Sequence, residues 1–283
     1  VTPQELAVPR NDSAKISRSP VMGTMLGIAS FLRKTATIVN LEIRKLRHDS
    51  TELITRAVQP ALWLLVFGEV FTQVRAIPTG NLRYIDFMAP GILAQSVLFI
   101  AIFYGIAIIW ERDLGIIHKL LVSPTPRSAL VLGKALSAGV RGLAQAVIVY
   151  ILALLLGVQL NWHPLALLGV LVIVVLGSAL FSTFSLIIAC LVKTRERFMG
   201  VGQILTMPLF FASNAIYPVA IMPGWLRVVA HVNPLTYEVD ALRTLMLSSG
   251  TSEFGLPLDF VVLFAITGVL VLIGGALYPT VVR

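Results

Sequence analysis

Four stretches of the chain contain no Asp, Glu, Lys or Arg: Phe87 to Trp110, Gly142 to Val192, Phe198 to Leu226 and Phe260 to Val282, running 24, 51, 29 and 23 residues. A helix needs about 20 apolar residues to cross a bilayer. The second stretch is therefore long enough for two helices, and its break is legible at Gly157 to Pro164 (GVQLNWHP). A fifth candidate, Leu53 to Val74, is apolar except for Arg56 at its start and Glu69 near its end. Six spans are expected, at about 53–74, 87–110, 138–158, 165–192, 198–217 and 258–281. The fold class expected is all-α integral membrane. Charged residues are 13% of the chain, about half what a soluble domain carries. Too few charges are present to build a water-facing surface, so the outer face must meet lipid.

The distribution of charge sets the orientation. The net charge is +8, but the cations stand in clusters between apolar runs and form no basic, aromatic-interleaved face, which argues against a nucleic-acid partner. Assigned to alternate loops, 18 Lys and Arg residues fall on one side and only four, Arg75, Arg83, Arg227 and Arg243, on the other. The positive-inside rule then places both termini in the cytoplasm, and the cytoplasmic (inner or plasma) membrane is the expected location. Cys190, the single cysteine, excludes an internal disulfide and any multi-cysteine metal site.

Residues 1–29 read as a cytoplasmic N-terminal tail, 30–50 as an amphipathic helix, and 51–283 as a six-helix transmembrane domain. Within the tail, Val21 to Leu32 follows basic residues and imitates a signal peptide; Arg33 and Lys34 follow at once, and an uncleaved tail is expected. In the amphipathic segment Leu32, Ala36, Val39, Ile43 and Leu46 trace one helix face, and cations occupy the remainder. Such a helix suits the membrane interface.

Two non-spanning segments are informative. The cytoplasmic loop Glu111 to Arg127 carries an apolar stripe, Ile116, Ile117, Leu120 and Leu121, with His118 and Lys119 beside it and Pro124 and Pro126 to stop a short helix. A stripe of this kind needs a cover, either the protein's own helix ends or a partner. The second segment, Tyr217 to Pro257, is too apolar for a free loop, and Pro218, Pro223 and Pro234 interrupt it. Two short re-entrant helices hinged near Asn233-Pro234 are expected, with a compact external loop as the alternative.

In these segments the chain resembles the permease subunits of type-2 ABC exporters, the class that includes daunorubicin-type drug efflux and surface-polysaccharide export permeases. The amphipathic segment 31–50 is similar to that family's interface helix. Glu111-Arg112, Gly115, Leu120-Leu121 and Pro124 resemble its first cytoplasmic loop, and Asn233-Pro-Leu-Thr-Tyr-Glu-Val-Asp-Ala-Leu-Arg243 its motif before the last span. His118 departs from the acidic or amide residue that many relatives carry. The resemblance implies a homodimer of permeases driven by a separate ABC ATPase subunit. ATP and Mg would be held by that partner, with no cofactor on this chain. Residues Glu111, Arg112, Gly115, Ile116, Ile117, His118, Lys119, Leu120, Leu121 and Pro124 would couple to the ATPase. Pro218, Pro223, Asn233, Pro234 and Leu235 would form an outer gate. The chain itself has no G-x-x-x-x-G-K-[ST] phosphate loop, so an enzyme is not expected.

Glu69, Arg141 and Asn214 are candidate pathway residues, because ionisable and amide groups inside spans tend to face protein or water. For Glu69 the alternative is reach to the interface, for Arg141 snorkelling, and for Asn214 helix–helix hydrogen bonding. The function implied is export of a hydrophobic or amphiphilic, drug-type compound, with surface polysaccharide or lipo-oligosaccharide export as the alternative. An ion-coupled transporter would show repeated halves or midplane carboxylates, and an intramembrane enzyme would show G-x-S-x-G or H-E-x-x-H. None of these is present in the sequence.

Overall fold

The structure, a computed structural model, describes residues 50–74, 77–80, 82–115, 127–192 and 194–278. Among them every element is helical, and β-type pairing is confined to one isolated antiparallel bridge, Leu160–Leu247. Helix α1 runs Ser50–Leu62, passes through a π-helical stretch at Trp63–Gly68 and continues as Glu69–Val74. It is followed by α2 (Tyr84–Asp113), α3 (Arg127–Leu155), α4 (Pro164–Leu191) and α5 (Arg195–Phe211). A 3-10 turn at Val219–Ile221 then leads to α6 (Gly224–Val232), α7 (Pro234–Met246) and α8 (Leu256–Leu277).

Local chemistry explains the boundaries. Pro164 and Pro234 open α4 and α7 at the first helical position, where a missing N–H costs nothing. Thr194 caps α5 by accepting from Arg197 N at 3.4 Å. Helix α3 ends before Gly157, whose φ of +67° belongs to the left-handed region glycine tolerates. Inside α1, Pro60 has no N–H to give the Arg56 carbonyl one turn earlier. Gln145 of α3 takes that carbonyl instead, at 3.3 Å, so the flaw in one helix becomes a tie to another.

Helices α2 and α4 form the centre. Residues Tyr84 to Leu98 of α2 are all buried, and α4 is mostly buried from Ile173 to Ala189. Around this pair pack α3, α7 and α8. Helices α1, α5 and α8 expose Leu62, Val66 and Val70, Ile204 and Met207, and Phe264 and Leu272 respectively. That is the inside-out pattern of a bundle immersed in lipid.

Among the described residues, five helices are long and apolar enough to cross a membrane: Thr55–Val74, Tyr84–Asp113, Leu130–Leu155, Pro164–Leu191 and Leu256–Leu277. The third begins well before the expected residue 138. The expected fifth span, 198–217, is the short helix α5, which stops at Phe211 after 17 residues. At about 1.5 Å per residue it is roughly 25 Å long, less than the ~30 Å hydrocarbon layer; residues 212–217 continue it as irregular backbone. The expected pair of short helices meeting at Asn233-Pro234 is present as α6 and α7. The amphipathic segment expected at 30–50 lies outside the described residues apart from Ser50.

Candidate functional site

Consecutive long helices alternate in direction, so α1, α3 and α5 start, and α2, α4 and α8 finish, at one end of the bundle. Glu111–Gly115 and Arg127 stand at this end. Three consecutive charges in the last turn of α2 are each engaged. Lys134 of α3 donates to Glu111 Oε2. Arg112 donates to Asp113 Oδ1 at 3.0 Å, and Arg195, at the start of α5, donates to Asp113 Oδ2 at 2.8 Å. The Arg195 guanidinium also lies 4.1 Å from the centre of the Trp110 ring. Lys134 is only 6% exposed, and the buried ammonium is compensated by its carboxylate partner. Helix α2 ends at Asp113, two residues before Gly115, whose φ is +71°. The chain thus enters the loop from a turn that is ionically bonded to α3 and α5.

A groove of about 1200 Å³ lies between α1, α2 and α3. Phe99, Ile100, Phe103, Ile106 and Trp110 give it an apolar wall, while Arg56, Ser96, Glu111, Arg141 and Gln145 bring polar groups to it. Arg141 stands 5.1 Å from the centre of the Tyr104 ring, within cation–π range. Gln145, 2% exposed, uses its amide N–H on the Arg56 carbonyl and keeps a buried Oε1 that accepts no hydrogen bond.

At the opposite end lies the irregular turn that follows α5. Backbone leaving a helix inside a membrane protein must find partners for its carbonyls. Side chains supply them one by one. Asn233 Nδ2 donates to Leu209 O at 2.7 Å and Ala212 O at 3.3 Å. Arg243 donates to Asn214 O at 2.6 Å, Tyr84 to Ile216 O at 3.0 Å, and Tyr217 to Phe211 O. Gly91 of α2 lets the turn approach: a Cβ there would fall 2.5 Å from Ala215 O.

Helix α7 anchors this assembly. Asn233 also caps it, accepting from Leu235 N at 3.0 Å. Arg243, 5% exposed, stacks 3.8 Å from the centre of the Phe87 ring. Burial pushes its pKa down to about 10, against the pull of Asp240 and Glu253. Asp240 accepts from Ser252 Oγ at 2.7 Å, Glu253 N at 2.9 Å and Phe254 N at 3.0 Å, fixing the approach to α8. Glu238 is fully buried with neither carboxyl oxygen hydrogen-bonded, so burial raises its pKa well above the carboxylate range. Its carboxyl rests on Gly177 of α4, where a Cβ would fall 2.2 Å from Oε1.

The expected site residues therefore divide into three places. Glu111, Arg112 and Gly115 stand at the loop end; Ile116, Ile117, His118, Lys119, Leu120, Leu121 and Pro124 lie outside the described residues. Pro218 and Pro223 flank the 3-10 turn, and Asn233, Pro234 and Leu235 form the α6–α7 hinge. Glu69, Arg141 and Asn214 are not brought together: Glu69 is exposed on α1, Arg141 lines the groove, and Asn214 is buried in the far-end turn. The Glu111–Lys134 and Asp113–Arg195 pairs, 23 and 82 residues apart, had no signal in local spacing. Glu238 did leave one, an acid in an otherwise apolar position of α7.

Comparison with known proteins adds a family. The model of the ABC-2 type transporter family matches residues 33–247. The putative transport permease ycf38 of Cyanophora paradoxa is 29% identical over 76% of this chain and 74% of its own length. The daunorubicin resistance ABC transporter permease protein DrrB1 of Streptomyces coeruleorubidus is 26% identical over 84% of this chain and 86% of its own. The inner membrane transport permease YadH of Escherichia coli K12 is 24% identical over 75% and 83%.

Proposed function

The chain belongs to the ABC-2 type transporter family, a transport subunit and not an enzyme, and from that premise we propose that it forms half of an exporter. Two copies pair in the cytoplasmic membrane with both termini inside, and a separate ABC ATPase, holding ATP and Mg, drives them. The cargo is a hydrophobic or amphiphilic compound of drug type, moved outward; the name of the Streptomyces relative supports this class.

The observation that carries the coupling is the wiring of the last turn of α2. Glu111 is bonded to Lys134 on α3 and Asp113 to Arg195 on α5. A push on the loop that follows would reach three helices at once and not α2 alone. Residues 114–122 would dock on the ATPase through Ile116, Ile117, Leu120 and Leu121. At the far end, α6, α7 and the turn at 212–217 would narrow the exit, with Asn233 as hinge. Co-purification with the ATPase tests the docking. Leu120→Asp with Leu121→Asp should abolish binding, and retention of the ATPase by this variant would overturn the assignment. Transport that persists in ATP-depleted vesicles under an ion gradient would overturn the exporter reading.

A further inference from the structure

We propose that Asp240 of α7 and Asp259 of α8 bind one proton between them and so form a latch at the far end of the bundle, which opens when that proton is lost. The latch needs neither an ATPase nor a cargo. In the orientation proposed above this end meets the external solution, whose acidity would then set it.

Asp240 and Asp259 are both 1% exposed or less. Asp259 stands in the first turn of α8 and faces the Asp240 carboxyl and Ser252. The two carboxyls are served unequally. Asp240 accepts from the Ser252 hydroxyl and from the N–H groups of Glu253 and Phe254, whereas neither oxygen of Asp259 meets a donor. Ser252 has a single hydroxyl proton, and Asp240 takes it. Two ionised carboxylates in contact and shut off from water repel strongly. One carboxylic acid donating to one carboxylate satisfies both. The donors assign the parts: Asp240, with three, is the carboxylate, and Asp259, with none, is the acid.

The surrounding charges do not replace the proton. Arg243 on α7 supplies one positive charge, shared between Asp240 and Glu253. Tyr237 on α7 is the other ionisable neighbour of Asp259, and Arg227 and His231 on α6 act on Glu253. Helices α3 and α4 also pack on α8. The charges of α3 reach no further toward this end than its midpoint, Arg141, and α4 carries none. Among the described residues no three His, Cys, Asp or Glu side chains are grouped to hold a metal ion. Loss of the proton would set two anions against each other where Asp240 fastens the approach to α8, and would part α7 from α8.

The test uses the purified full chain, with unfolding equilibria read by SDS titration in bicelles from about pH 5.5 to about pH 7, above the range in which a free Asp loses its proton, about 3.9. The folded pair keeps a proton that the unfolded chain has released, so stability falls as pH rises until the folded state releases it too. Asp259→Asn keeps a donor for Asp240 and has no proton to lose. Its folding equilibrium should gain on wild type by about tenfold per pH unit; Glu238 is present in both proteins and cancels. Infrared spectra at neutral pH, in an ester-free detergent, give a readout that packing alone would not move. Asp259→Asn should remove the carbonyl stretch of one protonated carboxyl group. Asp240→Asn should remove it as well, because the new amide donates to an ionised Asp259. Once the wild-type stability profile flattens, amide hydrogen exchange over residues 247–258 should exceed that of Asp259→Asn at the same pH. Parallel stability profiles, a carbonyl band that survives both substitutions, or equal exchange overturns the proposal. A wild-type profile that shifts with Na⁺ or with a chelator also overturns it, because a metal cation and not a proton would then join the pair.

Discussion

Replacing Glu238 by Gln should change how stability responds to pH. Glu238 is enclosed between α7 and Gly177 of α4, its oxygens accept no hydrogen bond, and burial alone raises its pKa well above the ordinary carboxylate range. The folded protein therefore keeps a proton that the unfolded chain releases once the pH passes that ordinary range, about 4.3 for a free Glu. Stability must then fall as pH rises, by about 1.4 kcal/mol for each pH unit, until Glu238 ionises in the folded state. Glutamine has nearly the same shape and no proton to lose, so Glu238→Gln removes this slope. The difference between the two proteins should grow in favour of Gln by about 1.4 kcal/mol between about pH 5.5 and 6.5, or roughly 3–5 °C in melting temperature for a chain of this size. Reversible unfolding by SDS titration in bicelles, run on both proteins across that interval, measures it. Parallel stability profiles would refute the reasoning, because they would mean that the folded and unfolded states hold the same number of protons at this position.

The same contact should give a strongly non-additive pair. Gly177→Ala alone forces the Glu238 carboxyl aside and should cost about 1–3 kcal/mol, whereas with Glu238→Ala the new methyl has room; a coupling below about 0.5 kcal/mol in the double-mutant cycle would contradict the close approach. Asn233→Ala removes the cap of α7 and two carbonyl contacts to the end of α5, and should lower stability by about 2–3 kcal/mol, read as a loss in melting temperature. Lys134→Met strands Glu111 in a half-buried setting and should destabilise by about 1–3 kcal/mol. Adding Glu111→Gln should restore most of that loss, while transport per ATP hydrolysed stays reduced because α2 and α3 are no longer tied. Arg195→Ala should likewise lower transport more than ATPase binding, measured by co-purification against vesicle uptake.

The spans were legible because their signal is local: a run of about 20 uncharged residues has few other uses, and α2, α4 and α8 were read close to their ends. The fifth span shows where that signal stops. Residues 198–217 are free of charge throughout, so nothing in them announces that the helix ends at Phe211. What ends it is remote: Asn233, Arg243 and Tyr84, from three other places in the chain, receive its released carbonyls. The role of Arg243 was hidden for the same reason. Counted among the four outer-side charges, it is also buried, stacked on Phe87 and bonded to Asn214 O. The loop-end ion pairs were equally invisible, since Asp113 and Arg195 meet only once α2 and α5 are packed. Local sequence therefore specified which segments lie in the membrane, while long-range side-chain pairing decides how they are joined. In this protein those joints lie at the two ends of the bundle, where the exporter proposed above would be pushed and would open. A substitution that spares every span but breaks a joint should then leave an inserted permease that still binds the ATPase of the proposed exporter and no longer transports.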